Sequence, residues 1–443
     1  MFEINKNITG FIEDMTYHEQ PYLFRMKRME AANSLRQNGF VFQNQSPVSV
    51  KFLKKQFALD VENANTDIDF NCTLENFSPL VYCLVNGRNI VDYGKSDNKI
   101  IVENIMDVAD KVNEIFGSLC DIDEDSFYAL NTAAFTGGFY IEVPDNTVVE
   151  LPLQLVSVFN SDCDSMFNVR NLIVLGKNSQ LKLIQCDDTF SDHDFFVNNL
   201  TEIFVREGAH LDYYKLHNIS NESAAVNSVF IEQESHSVVK TFNMELNAGY
   251  LSGNQNVVLG GDFAETYAYG IYLADRQQEM DNYVNVEHIG TDCVSQQIFK
   301  GIIDDSARSM FTGKIIVHRD SQRTEASQVD KNILLTSKAK AYAKPYLEIY
   351  ADDVKCSHGA TVGQLDEEAL FYMQQRGISY ENARKLLLNA FVAEVIDKIN
   401  IEPIKMRVSD MVKKRLMGEL TVCDNCVLRC SNAKRQTKYF DNI

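Results

Sequence analysis

The 443-residue sequence predicts a mainly β fold, with a core of short strands between two largely helical ends. Two observations predict this arrangement. From about residue 148 the chain is a series of short alternating apolar runs separated by Gly, Asn, Asp or Ser, and amphipathic helical patterns return only after Gly363. The runs also repeat weakly at intervals of roughly 30 residues, which favours a β-solenoid of stacked coils. An antiparallel sandwich, which also has many short strands, remains the alternative on pattern alone.

The first region, residues 1–147, is predicted to be a largely helical domain. Residues 15–39 place apolar side chains at helical spacing and end at a glycine, which is a common helix stop. Residues 100–116 show a second apolar stripe of the same kind. We therefore expect a helix over each of these two stretches.

The second region, residues 148–363, is predicted to be the β core. It contains no amphipathic helix of the length that joins parallel strands in a doubly wound fold. Several segments take matching positions around turns: 174–181 with 204–211 at a shift of 30, Val238 and Thr266 at shifts of 27 and 28, and 307–315 with 339–347 at a shift of 32. Strand-turn-strand units of this length suit the coils of a solenoid.

The third region, residues 364–443, is predicted to be a helical domain followed by a tail. Asp366 is a suitable N-cap for a helix that stops at Gly377. Ser379 then begins a longer helix with one apolar face, and a third helix is expected over about residues 404–417.

Composition limits the class of protein. No apolar stretch reaches the roughly 18–20 residues that span a bilayer, and the first residues lack the pattern of a signal peptide. We therefore expect a cytoplasmic protein that does not bind membranes. The formal net charge of −20 argues against nucleic-acid binding, because phosphates would be repelled. The ten cysteines are then expected to be reduced thiols.

The sequence lacks the residue sets of a self-contained catalyst. Gly94-Lys95-Ser96 is similar to the end of a phosphate-binding loop, but Asn89 stands where the first glycine should be. The histidines show no zinc-protease spacing, and there is no Gly-x-Ser-x-Gly elbow. A solenoid enzyme acting on polysaccharide would need clustered carboxylates and aromatics along one face, and no such set is visible. We expect a non-catalytic protein.

Cys356 and His358 form the first candidate site. They lie two residues apart in a β-type run, so both side chains point to one face. A thiol and an imidazole can hold iron or zinc, but two ligands do not complete a site. The alternative is a buried thiol beside a hydrogen-bonded imidazole. The apolar positions change parity at Asp352-Asp353, which predicts a bulge or bend just before the pair.

Three cysteines near the end of the chain, Cys423, Cys426 and Cys430, form a second candidate site. On a helix they would share one face, and three thiolates could bind zinc or an iron–sulfur cluster. A fourth ligand is missing nearby, so a cysteine-rich helix face or loop is the alternative. If these residues bind metal, the chain could be a self-contained metal or iron–sulfur protein.

Four segments carry a resemblance to a known family. The main one is the run from Tyr350 to Asp366, which includes Cys-Ser-His-Gly-Ala-Thr, and the others are residues 370–378, 288–302 and 311–315. Together they closely resemble the SufB/SufD family of iron–sulfur cluster assembly proteins. The Cys-Ser-His-Gly-Ala-Thr form is similar to SufD members rather than to SufB members.

The resemblance implies a right-handed parallel β-helix core flanked by an N-terminal helical region and a C-terminal helical domain. It also implies a scaffold subunit of the SUF iron–sulfur cluster assembly (SufBCD) complex. Such a subunit would pair with a SufB-like subunit through the β-helix and bind a SufC-like ATPase through the C-terminal helices. The ATPase activity would then belong to the partner chain. A homodimer is expected to be possible when the chain is isolated.

By the same resemblance, His358 would hold iron or a nascent iron–sulfur cluster opposite a cysteine of the SufB-like subunit. The metal would be transient and shared between the chains, with no tightly bound cofactor in the isolated chain. Cys356 is a weaker candidate, because lying on the same face does not make it a ligand. The resemblance does not extend to Cys423, Cys426 and Cys430.

Overall fold

The structure is a computed structural model and describes residues 21–39, 57–58, 77–92, 99–189 and 193–416. Two long sheets face each other across a narrow interior, and the chain passes from one sheet to the other in each coil, for about seven turns. The prediction of a mainly β, parallel solenoid core between helical ends is confirmed. No described helix has the length and apolar character needed to cross a membrane.

The structure describes nineteen strands, which alternate between the two sheets from β4 onward. Their bounds are β1 (Leu80–Val85), β2 (Asn89–Asp92), β3 (Ile101–Asn104), β4 (Phe139–Val143), β5 (Leu153–Phe159), β6 (Ser165–Leu175), β7 (Gln180–Thr189), β8 (Phe195–Val205), β9 (His210–Asn218), β10 (Ala224–Gln233), β11 (Val238–Asn247), β12 (Tyr250–Leu259), β13 (Glu265–Ala274), β14 (Glu279–His288), β15 (Val294–Ile303), β16 (Arg308–Val317), β17 (Thr324–Leu334), β18 (Lys340–Ile349) and β19 (Val354–Gly363).

From β5 onward the odd-numbered strands extend a ten-stranded sheet that ends at β19, and the even-numbered strands extend a nine-stranded sheet that ends at β18. Every neighbouring pair in this stretch is parallel. The sheets begin upstream of residue 148, because β1 pairs with β5 and β4 pairs with β6.

The strand register confirms the sequence repeats at their two ends. Gln180 pairs with His210, a shift of 30, and Arg308 pairs with Lys340, a shift of 32. The expected position of Val238 is wrong by one residue, since Leu211 pairs with Val239. Val239 is fully buried, whereas Val238 is only half-buried. Because the two adjacent residues are both valine, the sequence pattern did not show which of them faces inward.

In most coils, the corner where the chain passes from the nine-stranded to the ten-stranded sheet contains a residue with a left-handed backbone. Corner side chains contact those of the next coil: the rings of His236 and Phe263 stack at 5.0 Å, and Arg323 donates two hydrogen bonds to Asp292. The left-handed non-glycine residues of this column are Asn146, Asn178, His236, Phe263, Asp292 and Arg323. Left-handed geometry disfavours ordinary side chains, so coil-to-coil contacts stabilise these corners.

The space between the two sheets, which we call the lumen, contains a polar cluster as well as an apolar core. The Tyr272 hydroxyl lies 2.8 Å from Asp330 Oδ1 and 2.6 Å from Asn332 Oδ1, two strands away in the ten-stranded sheet. Gly301 lies between them in register, and a side chain there would collide with the Tyr272 ring. Burial raises the pKa of Asp330 to about 7, against hydrogen bonds from Tyr272 and Asn332 that lower it.

The N-terminal part packs on the outer face of the nine-stranded sheet. Helices α1 (Tyr22–Asn38) and α2 (Ser126–Ala134) lie here, and α1 confirms the helix predicted within residues 15–39. A buried ion pair anchors the layer: Arg170 Nη2 lies 2.7 Å from Glu202 Oε2. Glu202 also accepts hydrogen bonds from the backbone N–H groups of residues 117 and 119.

The helix predicted over residues 100–116 is wrong. Its first residues form β3, which pairs antiparallel with β4, followed by a single 3₁₀ turn at Ile105–Asp107. Val108, Val112 and Phe116 are nevertheless buried, joined by separate backbone hydrogen bonds rather than a continuous helix. Strand pairing therefore overrides the helical spacing. The spacing predicted correctly which residues are buried, but not the backbone conformation of the segment.

The C-terminal part contains α3 (Glu367–Gln375), α4 (Tyr380–Ile396) and α5 (Glu402–Leu416). The predicted caps are confirmed: Asp366 accepts from two backbone N–H groups of α3, and Ser379 accepts from the N–H of Asn382. Helices α4 and α5 bury apolar faces against the outer face of the ten-stranded sheet. Lys300 of β15 fixes α4, because its ammonium lies 2.5 Å from Glu394 and 2.6 Å from the carbonyl oxygen of Phe391.

The two ends of the solenoid differ. Among the described residues, each sheet finishes at the N-terminal end with a four-residue antiparallel strand, β2 in one sheet and β3 in the other. At the C-terminal end each finishes with a ten-residue parallel strand, β19 and β18. Short edge strands limit further pairing, whereas long ones present a row of unpaired backbone groups. The C-terminal end is therefore the more suitable edge for adding a strand.

Candidate functional site

The candidate site lies on β19, the last strand of the ten-stranded sheet. The predicted parity change at Asp352-Asp353 is a bend at which the chain leaves β18 in one sheet and enters β19 in the other. The bulge offered as the other possibility is therefore not the cause. This corner repeats the passage between sheets seen in earlier coils, and the Asp353 carbonyl accepts the N–H of Arg323 from the coil before.

Cys356 faces the lumen and is half-buried. It packs at the edge of a small apolar cluster that includes Ala326 on β17, its partner in the parallel register, and Ile315 on the opposite sheet. Burial raises the pKa of the Cys356 thiol, while a hydrogen bond from the Ala326 backbone acts the other way. The thiol is thus less ionised at neutral pH than a free cysteine, which makes it a weaker metal ligand.

His358 is exposed and lies on the same face as Cys356, two residues further along β19. Its register partner on β17 is Gln328, which is buried. The strand alternation predicted from the sequence therefore places both candidate residues as expected. The imidazole is accessible from outside the molecule, whereas the thiol is partly covered.

The described part of the chain contains no group of three His, Cys, Asp or Glu residues that could hold a metal ion. Cys356 and His358 therefore supply at most two of the four ligands that a tetrahedral site requires. Cys423, Cys426 and Cys430 lie outside the described residues. Any metal held at His358 would need ligands from beyond the described chain.

The last coil exposes apolar side chains, and sequence reasoning missed them. They come from β18, its following turn and β19: Tyr342, Tyr346, Ile349, Tyr350 and Val362. On the outer side of β19, a methyl group placed at Gly359 would meet no atom within 4 Å. Aromatic side chains are enriched at protein interfaces. The alternation of β18 could have indicated Tyr342 and Tyr346, because both fall on its outer face.

Helix α3 also exposes aromatic side chains. Of its nine residues only Leu370 is buried, while Phe371 and Tyr372 are 62% and 59% exposed. Helices α4 and α5 instead contribute many residues to the core beneath them. The first C-terminal helix is therefore the one whose apolar residues are least covered.

Comparison with known proteins gives two family matches that together cover most of the chain. Residues 158–391 match the SufBD core domain of the SUF system for iron–sulfur cluster assembly. Residues 12–155 match the N-terminal region of SufBD proteins. The core match includes the lumen and both candidate residues on β19.

Relatives at moderate identity agree. A SufBD family iron–sulfur cluster assembly protein of Synechocystis is 29% identical over 65% of this chain and 66% of its own length. The Escherichia coli iron–sulfur cluster assembly protein SufD is 30% identical over 56% and 59%, and the Bacillus subtilis SufD is 26% identical over 67% and 68%. The chain thus matches less than two thirds of the length of the first two relatives. With a parallel solenoid and both family regions present, the chain belongs to the SufB/SufD family of iron–sulfur cluster assembly proteins.

Proposed function

We propose that this chain is a SufD-like, non-catalytic scaffold subunit of an iron–sulfur cluster assembly complex. In this proposal the C-terminal end of the solenoid pairs with a SufB-like subunit, and the C-terminal helices bind a SufC-like ATPase. The observation that carries it is the position of His358 on a long strand at the edge of the described sheet, in a last coil that exposes several apolar side chains. A metal site with missing ligands at such an edge suits completion by a partner chain.

The role of each site residue follows from its surroundings. His358 is the iron ligand, because a neutral imidazole binds metal and this ring is accessible. Cys356 contributes only when an approaching cation offsets the burial that raises its pKa. The iron and sulfide are the cargo of the assembly reaction and leave as a cluster.

The site assignment is tested by His358→Ala in the chain co-expressed with its SufB-like and SufC-like partners. Iron and sulfide are then measured in the anaerobically purified complex. We expect an intact complex with cluster formation reduced at least tenfold. Ser357→Ala is the matched control, since Ser357 is the adjacent residue on the other face of β19. Normal cluster formation by His358→Ala would refute the assignment.

The ATPase assignment is tested on α3. Replacing Phe371 and Tyr372 together by serine should abolish co-purification of the SufC-like ATPase without lowering the Tm, because both side chains are exposed. Met26→Ser on α1 changes an exposed apolar residue far along the chain and serves as the control. Retained binding by the double variant would exclude these two residues as the ATPase contact.

A self-contained metal site at Cys423, Cys426 and Cys430 is the alternative. It predicts that the isolated chain binds iron or zinc, and that replacing the three cysteines by serine removes the metal. The shared-site proposal instead predicts that this replacement leaves cluster formation by the complex unchanged.

A further inference from the structure

The lumen behind His358 contains a row of side chains in strict register. In the ten-stranded sheet, His358 on β19 pairs with Gln328 on β17, and Gln328 pairs with Gln297 on β15. Next in the row comes Ala268 on β13, which has no polar side chain. Residues paired in neighbouring strands lie about 5 Å apart and point to the same face. Two glutamines on successive strands therefore lie in line with the candidate ligand His358, on the interior side of it.

Both glutamines are buried without hydrogen-bond partners. Gln297 is 0% and Gln328 1% exposed, and within the described chain neither the amide nitrogen nor the amide oxygen of either residue has a partner. A buried amide left unpaired is destabilising, so such groups in folded proteins usually have a role. Two other lumen glutamines are half-paired: the amide oxygen of Gln185 accepts from the Tyr213 hydroxyl and that of Gln255 from the Thr241 hydroxyl, while their amide nitrogens have no partner within the described chain.

The opposite sheet leaves space for the Gln328 amide. Gly313 on β16 faces it across the lumen, and a side chain there would collide with the Gln328 amide nitrogen. The amide thus lies inside the mouth of the lumen, one strand below His358. Both ends of the amide are unpaired, so a rotation of the Gln328 side chain would direct it from Gly313 toward the neighbouring imidazole.

A histidine that binds metal through one ring nitrogen usually donates the N–H of the other to an acceptor, which fixes the ring orientation and the tautomer. Among the residues paired with β19 near His358, Ala326 has no polar side chain and Asp330 is already bonded to Tyr272 and Asn332. Gln328 has a free amide oxygen that can accept.

We propose that Gln328 is a positioning residue for His358. Its amide oxygen accepts the imidazole N–H opposite the metal, and Gln297 in turn accepts from the Gln328 amide nitrogen. This inference rests on the proposed function, because it requires His358 to bind metal. It adds that the orientation of the ligand is set from inside the solenoid, by residues that a partner chain does not contact.

The test uses zinc ions and the full chain labelled with ¹⁵N-histidine, in complex with its unlabelled SufB-like partner so that the shared site is complete, with the His358 signals assigned by their loss in His358→Ala. Gln328→Met keeps the side-chain length and removes the acceptor, and Gln328→Glu restores an acceptor oxygen. Ser327→Ala, on the other face of β17, is the control. Only the His358 ring signals are followed, so zinc bound elsewhere does not contribute.

In the wild-type chain, zinc should shift one His358 ring nitrogen as metal-bound and the other as a hydrogen-bonded N–H. Gln328→Met should weaken zinc binding at His358 about 10- to 100-fold and abolish the N–H signature, while Gln328→Glu preserves both. If Gln328→Met binds zinc like the wild type, with the same ring signals, this inference is wrong and the proposed function stands. If the wild-type His358 signals do not respond to zinc, the metal role of His358 fails as well.

Discussion

The buried carboxyl of Asp330 should make the stability of this protein fall as the pH rises from about 4 to about 7. Its pKa is about 7 in the folded chain in place of the ordinary 3.8, because burial outweighs the hydrogen bonds from Tyr272 and Asn332. In the unfolded chain the carboxyl is ionised above about pH 4, whereas in the folded chain it keeps its proton until about pH 7. The stabilisation that Asp330 gives the folded chain is therefore complete at about pH 4 and below, and it is lost as the pH rises to about 7.

The magnitude follows from the two pKa values. Each pH unit between them changes the free energy of unfolding by 1.36 kcal/mol. Measurements must stay above the sequence pI of about 4.9, where the chain is least soluble. Between about pH 5.5 and pH 7, Asp330 should thus lower the free energy of unfolding by about 2 kcal/mol.

Asp330→Asn removes this titration while keeping the shape and an acceptor for the Tyr272 hydroxyl. Urea unfolding of both proteins, followed by circular dichroism from pH 5.5 to 8, should show the variant gaining about 2 kcal/mol relative to the wild type across the range. Asp352→Asn changes an exposed carboxyl and should run parallel to the wild type. If the Asp330→Asn and wild-type curves are also parallel, the folded-state pKa of Asp330 is not raised and the reasoning is refuted.

Three further variants test contacts in the scaffold. Gly301→Ala should displace the Tyr272 ring and lower the free energy of unfolding in urea by about 1–3 kcal/mol. Gly359→Ala, at an exposed position with no atom nearby, should leave it unchanged. Lys300→Met should speed hydrogen exchange in α4, since a buried ammonium loses its bonds to this helix, and unchanged protection would contradict the contact. In the same unfolding assay, Arg170→Met should lower the free energy of unfolding by about 3–5 kcal/mol, because the buried Glu202 carboxylate keeps its backbone hydrogen bonds but loses its counter-charge. Adding Glu202→Gln should recover part of that loss.

The features that could be predicted from sequence are those encoded within a few neighbouring residues. Turn residues at regular intervals predicted the strands, and Asp366 and Ser379 predicted where two helices begin. The alternation of β19 placed Cys356 and His358 on one face. Each of these depends on local backbone geometry, which a single segment of sequence specifies.

The lumen could not be predicted, because its contacts join residues about one coil apart. Nothing local distinguishes Gln328, whose amide is unpaired at both ends, from Gln255, whose amide oxygen has a partner. The position of the Tyr272 ring over Gly301 likewise exists only in the stacked register. Coil length also varies, so a one-residue error such as that at Val238 reverses which side chains face inward. Register between coils is a property of the assembled sheets.

The unequal ends of the solenoid bear on how many chains could join. In the part of the chain that the structure describes, short antiparallel strands finish one end, and long parallel strands finish the other. A molecule with only one end suited to strand pairing can bind only one other chain through it, so association through that end stops at two chains. A solenoid with two such ends could instead add subunits head to tail into a filament. Because the two ends differ, a sheet edge at the C-terminal end could serve as an interface without the chains growing into a filament.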